Sequence, residues 1–78
     1  MKTIIKQGRK LTSSANIIGN ELIVNLKERW VYEDSEFYKN RLYIQTLEGD
    51  IELAFSGVVN EIEFDYQEKD QLIFKIYL

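Results

Sequence analysis

The amino-acid sequence predicts a small, mainly β domain built as an antiparallel curled sheet or barrel of six or seven short strands. Aromatic residues make up 13% of the chain, and β-branched and aromatic residues favour strands. Short apolar runs alternate with polar residues at period two, and turn residues follow them at close intervals. The 78 residues suffice for one domain, residues 1–78.

Charge is distributed unevenly along the chain. We expect residues 1–14 to form a partly flexible basic arm and loop, with a short strand at Thr3–Lys6. The arm holds four basic residues and no acid: Lys2, Lys6, Arg9 and Lys10. Residues 11–78 hold six basic and thirteen acidic residues, and an acidic body argues against non-specific binding of nucleic acid.

The first hairpin is predicted around Gly19 and Asn20. This dipeptide separates the apolar residues 15–18 from residues 21–26, and glycine tolerates the positive φ that a type II′ turn requires. The alternation in the second of these runs continues with the same parity to Tyr32. We therefore expect one long strand that bends before it reaches Tyr32.

Residues 33–40 break the alternation. Asp34 or Ser35 has the residue type that caps a helix, and Lys39 would stand favourably in its last turn. One short helix near residues 34–40 is therefore one expectation, and an excursion loop is the other.

The second half of the chain shows the clearest strand pattern. Turn residues separate four alternating runs, which predict a four-stranded meander. The runs are Arg41–Leu47, Ile51–Phe55, Glu61–Gln67 and Leu72–Leu78. With the first hairpin added, the domain matches SH3-like and OB-like barrels in size, and a flat sheet packed on the short helix is the alternative.

The last strand is apolar on both faces, so it is either central or covered. A barrel that closes over it is one explanation. A homodimer formed through this strand is the other, because an uncovered apolar edge invites pairing. The residues that would form that contact are Leu72, Ile73, Phe74, Ile76 and Tyr77.

The composition excludes several chemistries. The chain has no cysteine and no histidine, which rules out disulfides, thiolate metal sites and Cys- or His-based nucleophilic catalysis. We expect no catalytic residues, no cofactor and no metal, so the protein is not expected to be an enzyme. The longest apolar run near the N-terminus has two residues, and no run approaches a membrane span, so a cytoplasmic location is expected.

Acidic residues suggest one candidate binding surface. Alternation predicts a face with Glu61, Glu63 and Asp65 opposite a face with Ile62, Phe64 and Tyr66. The neighbouring hairpin adds three more acids: Glu48, Asp50 and Glu52. These carboxylates are either a solvated face or a ridge that docks on a basic surface of another protein.

An aromatic segment suggests the second surface. Five aromatic residues lie between positions 30 and 43: Trp30, Tyr32, Phe37, Tyr38 and Tyr43. Interleaved basic residues make three interpretations possible, namely core packing, a protein interface, or stacking of single-stranded nucleic acid.

The sequence therefore favours a non-catalytic protein-interaction module acting through an acidic strand face. It would be an inhibitor, a regulator or an assembly subunit, and the composition suits an accessory protein of a phage or mobile element. The alternative is a small OB- or SH3-like nucleic-acid-binding domain that uses the basic arm and the aromatic segment 30–43.

Overall fold

The computed structural model describes residues 3–7, 14–26 and 28–77, and this part of the chain folds into strands without a helix. The mainly β, antiparallel class predicted from the sequence is confirmed. The eight strands are β1 (Thr3–Gln7), β2 (Ser14–Ile18), β3 (Glu21–Asn25), β4 (Tyr32–Tyr38), β5 (Arg41–Thr46), β6 (Asp50–Phe55), β7 (Glu61–Glu68) and β8 (Gln71–Tyr77).

The strands form two four-stranded antiparallel sheets. Sheet I has the order β1-β6-β5-β4, and sheet II has the order β2-β3-β8-β7. The sheets pack face to face, so that β4 lies alongside β7 at one seam and β1 lies alongside β2 at the other. Hydrogen-bonded pairing does not cross either seam between the described strands, so the domain is a sandwich and not a closed barrel. The predicted four-stranded meander is wrong for the same reason, because the hairpin of β5 and β6 lies in sheet I and the hairpin of β7 and β8 lies in sheet II.

Two-residue turns close three of the hairpins. Gly19 has φ +62° between β2 and β3, which confirms the predicted hairpin. Lys39 and Asn40 both have positive φ, 51° and 63°, as a type I′ turn requires. This turn matches the right-handed twist of β4 and β5 and fixes their register.

The helix considered near residues 34–40 is wrong, because β4 occupies this segment. Asp34 and Glu36 are exposed, whereas Ser35 and Phe37 are partly buried, so the residues alternate as in a strand. The capping signal of Asp34 acts locally, and its carboxylate does accept a hydrogen bond from the Ser35 N–H at 2.8 Å. Pairing of the whole segment with β5 outweighs that local preference.

The long strand expected from residue 21 to Tyr32 is also wrong. β3 ends at Asn25, and the chain then crosses from sheet II to sheet I. Leu26, next to the end of β3, and Trp30, near the start of β4, are both buried. Their spacing of four residues keeps the parity of a continuous strand. The alternation was therefore real, but it came from two different elements.

The core lies between the sheets and takes inward-facing side chains from both of them. Its largest fully buried members are Phe74, Leu22, Leu42, Ile44, Ile51, Leu53, Leu72 and Val24. Tyr32 on β4 and Phe64 on β7 stack across their seam, with ring centroids 3.6 Å apart and planes 4° apart. Phe74 meets both rings edge-on, so aromatic packing replaces strand pairing at this seam.

The C-terminal strand is central and not an edge. β8 pairs with β3 on one side and with β7 on the other, so both of its hydrogen-bonding edges are occupied. Leu72, Phe74 and Ile76 point into the core. Strand pairing with a second copy through the edge of β8 is therefore blocked, while a homodimer through the outward-facing residues of this strand stays a prediction.

An internal pseudo-two-fold symmetry relates the sheets, exchanging β3 with β6, β4 with β7, and β5 with β8. Each buried residue of the first half has a buried counterpart in the second half. The counterpart lies 29 residues later for residues before β4 and 30 residues later for residues after β4. The equivalent pairs are Leu22 and Ile51, Val24 and Leu53, Leu26 and Phe55, Trp30 and Val59, Leu42 and Leu72, Ile44 and Phe74, and Thr46 and Ile76.

Two side-chain amides hold two of the crossovers between the sheets, the one from β6 to β7 and the one from β3 to β4. Asn40, in the β4–β5 turn, donates to the carbonyls of Phe55 at 2.7 Å and Gly57 at 2.6 Å and accepts from the Val59 N–H at 2.9 Å. These bonds fix residues 56–60, which lead from β6 to β7.

Gln67, near the β7–β8 turn, binds the crossover from β3 to β4, although its position is not equivalent to that of Asn40. Its amide donates to the Trp30 carbonyl at 2.6 Å and accepts from the Tyr32 N–H at 2.9 Å. Residues 28–31, which lead from β3 to β4, are thereby fixed to β7.

We predict that the substitution Asn40→Gly destabilises the fold. Glycine keeps the positive φ of the turn, so the variant removes only the three side-chain hydrogen bonds and leaves partly buried crossover groups unpaired. The free energy of unfolding, measured by urea denaturation, is expected to fall by about 2–3 kcal/mol.

The matched control is Lys39→Gly, which changes the neighbouring positive-φ position. Lys39 is exposed, and relief of its left-handed conformation is expected to leave stability unchanged or raise it by up to about 1 kcal/mol. An Asn40→Gly variant as stable as wild type would show that the amide does not hold the crossover.

Candidate partner-binding surfaces

The acidic row of β7 lies on the outer face of sheet II, with one change from the sequence-based expectation. Glu61 and Glu63 are exposed, while Ile62 is buried and Phe64 is partly buried. The register shifts between Phe64 and Tyr66, which places a β-bulge at Asp65. Beyond the bulge the alternation reverses, so that Tyr66 lies on the outer face and is 46% exposed, although it was predicted on the inner face.

Glu63 has two neighbours on β8 that tie it to this face. Lys75 is its cross-strand partner, and the Tyr77 hydroxyl hydrogen-bonds to its carboxylate. The hydrogen bond to Glu63, together with the negative charge of that residue, raises the pKa of Tyr77 above its ordinary value of 10.0. The charges of Asp65 and Glu61 add to the same effect, so all three carboxylates act on one tyrosine.

The three acids of the β5–β6 hairpin do not extend this row. Asp50 and Glu52 lie on β6 in sheet I, where they alternate with buried residues and face outward on the opposite side of the sandwich. Glu52 forms an ion pair with Arg41 at 3.2 Å. Glu48 lies in the turn, and its carboxylate accepts a hydrogen bond from the Val31 N–H at 2.9 Å. The predicted ridge of six acids is therefore divided between two faces and a turn.

Across the seam from the β7 row, β4 carries further acids that the sequence interpretation did not use, and its Asp34 and Glu36 face outward from sheet I. β4 and β7 are the edge strands at the same seam, and together they hold seven of the thirteen acids and no lysine or arginine. These edge-strand acids are Glu33, Asp34, Glu36, Glu61, Glu63, Asp65 and Glu68. The alternation of residues 34–38 would have revealed those of β4, had the segment been read as a strand.

The aromatic segment divides between the core and the surface. Trp30 is 5% exposed and belongs to the core, and Tyr32 and Phe37 are partly buried against it. Tyr38 and Tyr43 remain on the outer face of sheet I, 57% and 39% exposed. The five residues therefore do not form one stacking platform.

On the last strand, Ile73 and Tyr77 face outward while its other apolar residues face the core. Ile73 lies on the outer face of sheet II and outside the central core cluster, yet it is only 5% exposed. Tyr77 is 44% exposed. Most of the basic arm lies outside the described residues, and for Lys6 the structure describes only the backbone, in β1.

Two further structural findings concern the described part of the chain. No three of its acidic side chains lie close enough together to hold a metal ion. Within residues 3–7, 14–26 and 28–77, no helix has the length and apolar character needed to cross a membrane.

No family model, curated protein or solved structure matches the chain in comparisons with known proteins. Fold and surface together define a class in structural terms, a pseudo-symmetric β-sandwich whose two edge strands at one seam are strongly acidic. Its function is therefore argued from its own residues.

We predict that the fluorescence of Trp30, the only tryptophan, reports a buried indole. Acrylamide should quench it weakly in the native protein and strongly after unfolding in urea, because the ring is enclosed by the core. Added single-stranded oligonucleotide should leave the emission unchanged. Strong quenching by the oligonucleotide at low salt would contradict this placement and would support a stacking role.

We predict that Glu63→Gln lowers the pKa of Tyr77 toward 10, since the substitution removes the charge that opposes ionisation. The folded-state pKa is raised, so this contact stabilises the fold below about pH 10 and the contribution is lost as the pH rises through the folded-state pKa. The Tyr77 pKa is measured by NMR titration of protein labelled with ¹³C at the tyrosine Cζ. Glu36→Gln, on the opposite sheet, should leave the Tyr77 pKa unchanged, and an equal shift in both variants would contradict the assignment.

Proposed function

We propose that this protein is a non-catalytic interaction module that binds a basic surface of another protein through the edge-strand acids at the β4–β7 seam. It acts in the cytoplasm as an inhibitor, a regulator or a subunit of an assembly. The observation that carries the proposal is the placement of seven acids and no basic residue on two adjacent edge strands.

The electrostatic reason is that seven like charges on two adjacent strands produce a negative field, which Lys75, the neighbour of Glu63 on β8, offsets only in part. A surface of this kind attracts positively charged partners, raises the rate of association and rejects acidic ones. Glu63 and Glu61 stand two residues apart on one strand, so their Cα atoms are spaced by roughly 6.5–7 Å along it. A partner can therefore engage several carboxylates with a regular row of basic groups.

The same acids have a second physical effect, which is protection of the sheet edges. Charged side chains and β-bulges on edge strands prevent edge-to-edge association, and β4 and β7 each carry both features. Attraction of a basic partner grows with the number of like charges, so the seven edge-strand acids also support a role in binding.

Nucleic-acid binding gains no support from the described surface. The exposed aromatic residues Tyr38 and Tyr43 share the outer face of sheet I with Glu36, Asp50 and Glu52, which repel phosphate. The buried Trp30 offers no stacking face.

The test is affinity capture of the partner from the native host, followed by calorimetry with the purified partner. The triple variant Glu61→Gln, Glu63→Gln and Asp65→Asn should raise the Kd at least tenfold, because three charge-assisted contacts become neutral. The affinity of the wild-type protein should fall as salt is raised from 50 to 300 mM.

The matched control changes three acids that lie outside β4, β7 and the β7–β8 turn, with Glu21→Gln, Glu28→Gln and Asp50→Asn combined. It alters the net charge equally and should leave the Kd within about threefold of the wild-type value. An equal loss of affinity in both triple variants would show that the effect comes from net charge alone. Unchanged binding by the β7 variant, accompanied by its self-association, would assign the acids to edge protection and refute the proposal.

A further inference from the structure

A recess lies on the outer face of sheet I between β4 and β5. It has a volume of about 120 Å³. Its walls are formed by Asp34, Ser35, Glu36, Tyr43 and Gln45, and these residues define the Tyr43 recess. Tyr43 is 39% exposed, so its ring is open to a ligand, and two carboxylates stand on the β4 side of it.

The pseudo-two-fold symmetry provides a comparison for this recess within the same molecule. The position of Tyr43 in sheet I corresponds to Ile73 in sheet II, and Glu36 beside it corresponds to Tyr66 beside Ile73. Ile73 is only 5% exposed. Sheet II therefore has an apolar residue covered by its own neighbours where sheet I has an uncovered ring beside a carboxylate.

The charges differ between the two sheets in the same way. In sheet II, Lys75 lies between the acids Glu63 on β7 and Glu21 on β3. In sheet I the equivalent central position is Gln45, which lies between Asp34 and Asp50. Sheet I therefore has an acid on each side of this position, as sheet II does, but it has the neutral Gln45 where sheet II has Lys75.

The polar groups around the recess leave the two β4 carboxylates available. The Ser35 hydroxyl is hydrogen-bonded to the Tyr32 hydroxyl, with the two oxygens 2.7 Å apart. One carboxylate oxygen of Asp34 accepts a hydrogen bond from the Ser35 N–H. The nearby Arg41 is paired with Glu52 on the far side of β5. Among the residues whose side chains the structure describes, neither Asp34 nor Glu36 forms an ion pair.

We propose that the Tyr43 recess binds an arginine side chain of the protein partner, with the guanidinium on the Tyr43 ring and its N–H groups directed to Asp34 and Glu36. The inference rests on the proposed function and specifies a second contact point for the same basic partner. Binding supplies to sheet I the cation that Lys75 supplies to sheet II.

Arginine fits this recess better than lysine for geometric reasons. The guanidinium is planar, stacks on an aromatic ring and presents several N–H donors in a fixed plane, so it can contact the ring and both carboxylates together. The lysine ammonium is a compact, strongly hydrated charge that gains less from the ring. The side-chain amide of Gln45 adds a neutral acceptor without introducing a repelling charge.

The test uses three nine-residue peptides that are identical except for three positions, which carry arginine, lysine or the neutral isostere citrulline. Each is titrated into ¹⁵N-labelled protein and followed by amide chemical shifts. We expect the arginine peptide to shift residues 34–36 and 43–45 with an affinity at least threefold higher than that of the lysine peptide. The citrulline peptide should give no shifts there.

Two variants locate the binding. Asp34→Asn combined with Glu36→Gln should weaken the arginine peptide at least fivefold, and Tyr43→Leu should remove the preference for arginine over lysine. Glu21→Gln combined with Glu28→Gln makes the same charge change away from the recess and should have little effect. The dispersion of each amide spectrum shows whether the variant is folded.

Shifts spread over all acidic surfaces, equal affinity for the arginine and lysine peptides, or equal loss in the control double variant would overturn the inference. The partner calorimetry distinguishes this failure from failure of the proposed function. If the β7 triple variant loses the partner while the Asp34 and Glu36 double variant retains it, the module binds without the recess and only this inference falls.

Discussion

The fold depends on how the chain is held where it passes from one sheet to the other. Eight strands of five to eight residues leave little length for crossovers, and a crossover that moved would open the core at its end of the sandwich. Asn40 and Gln67 oppose this at two crossovers by bonding to backbone groups in and beside them. Side-chain amides suit the task because each offers donors and an acceptor at once. Trp30 and Val59, one in each of these two crossovers, are buried in the core.

The sequence was sufficient for the class of fold and for the hairpins whose turns have a clear chemical signal. Gly19 with Asn20, and the alternation from Arg41 to Phe55, were interpreted correctly because local geometry determines them. The β4 segment was misassigned because its capping residues are a local signal, whereas its pairing with β5 and its approach to β7 are not. The orientation of Tyr66 was missed for a related reason, since the bulge at Asp65 leaves no mark in the alternation that precedes it.

The internal symmetry could not be found from residue identity, because most equivalent positions share burial but neither residue type nor size. Trp30 and Val59 differ greatly in volume, yet each closes the same point of its half. A core tolerates such exchange as long as the total volume is filled, because hydrophobic packing is not directional. The outer faces are free of that constraint, so the two halves diverge there. This explains why the candidate surfaces had to be located from the structure.

Divergence between the halves singles out the surface features on which our proposals rest. Each half has a β-bulge in its edge strand and a side-chain amide that binds a crossover, although neither feature occupies equivalent positions in the two halves. The covered Ile73 and the cation Lys75 occur only in sheet II, and the open Tyr43 with its carboxylates occurs only in sheet I. Both arrangements lie on outer faces that the core does not constrain, so packing of the core does not require the difference. The exposed ring and the acids beside it are the basis of our proposal that the Tyr43 recess and the edge-strand acids contact the same partner.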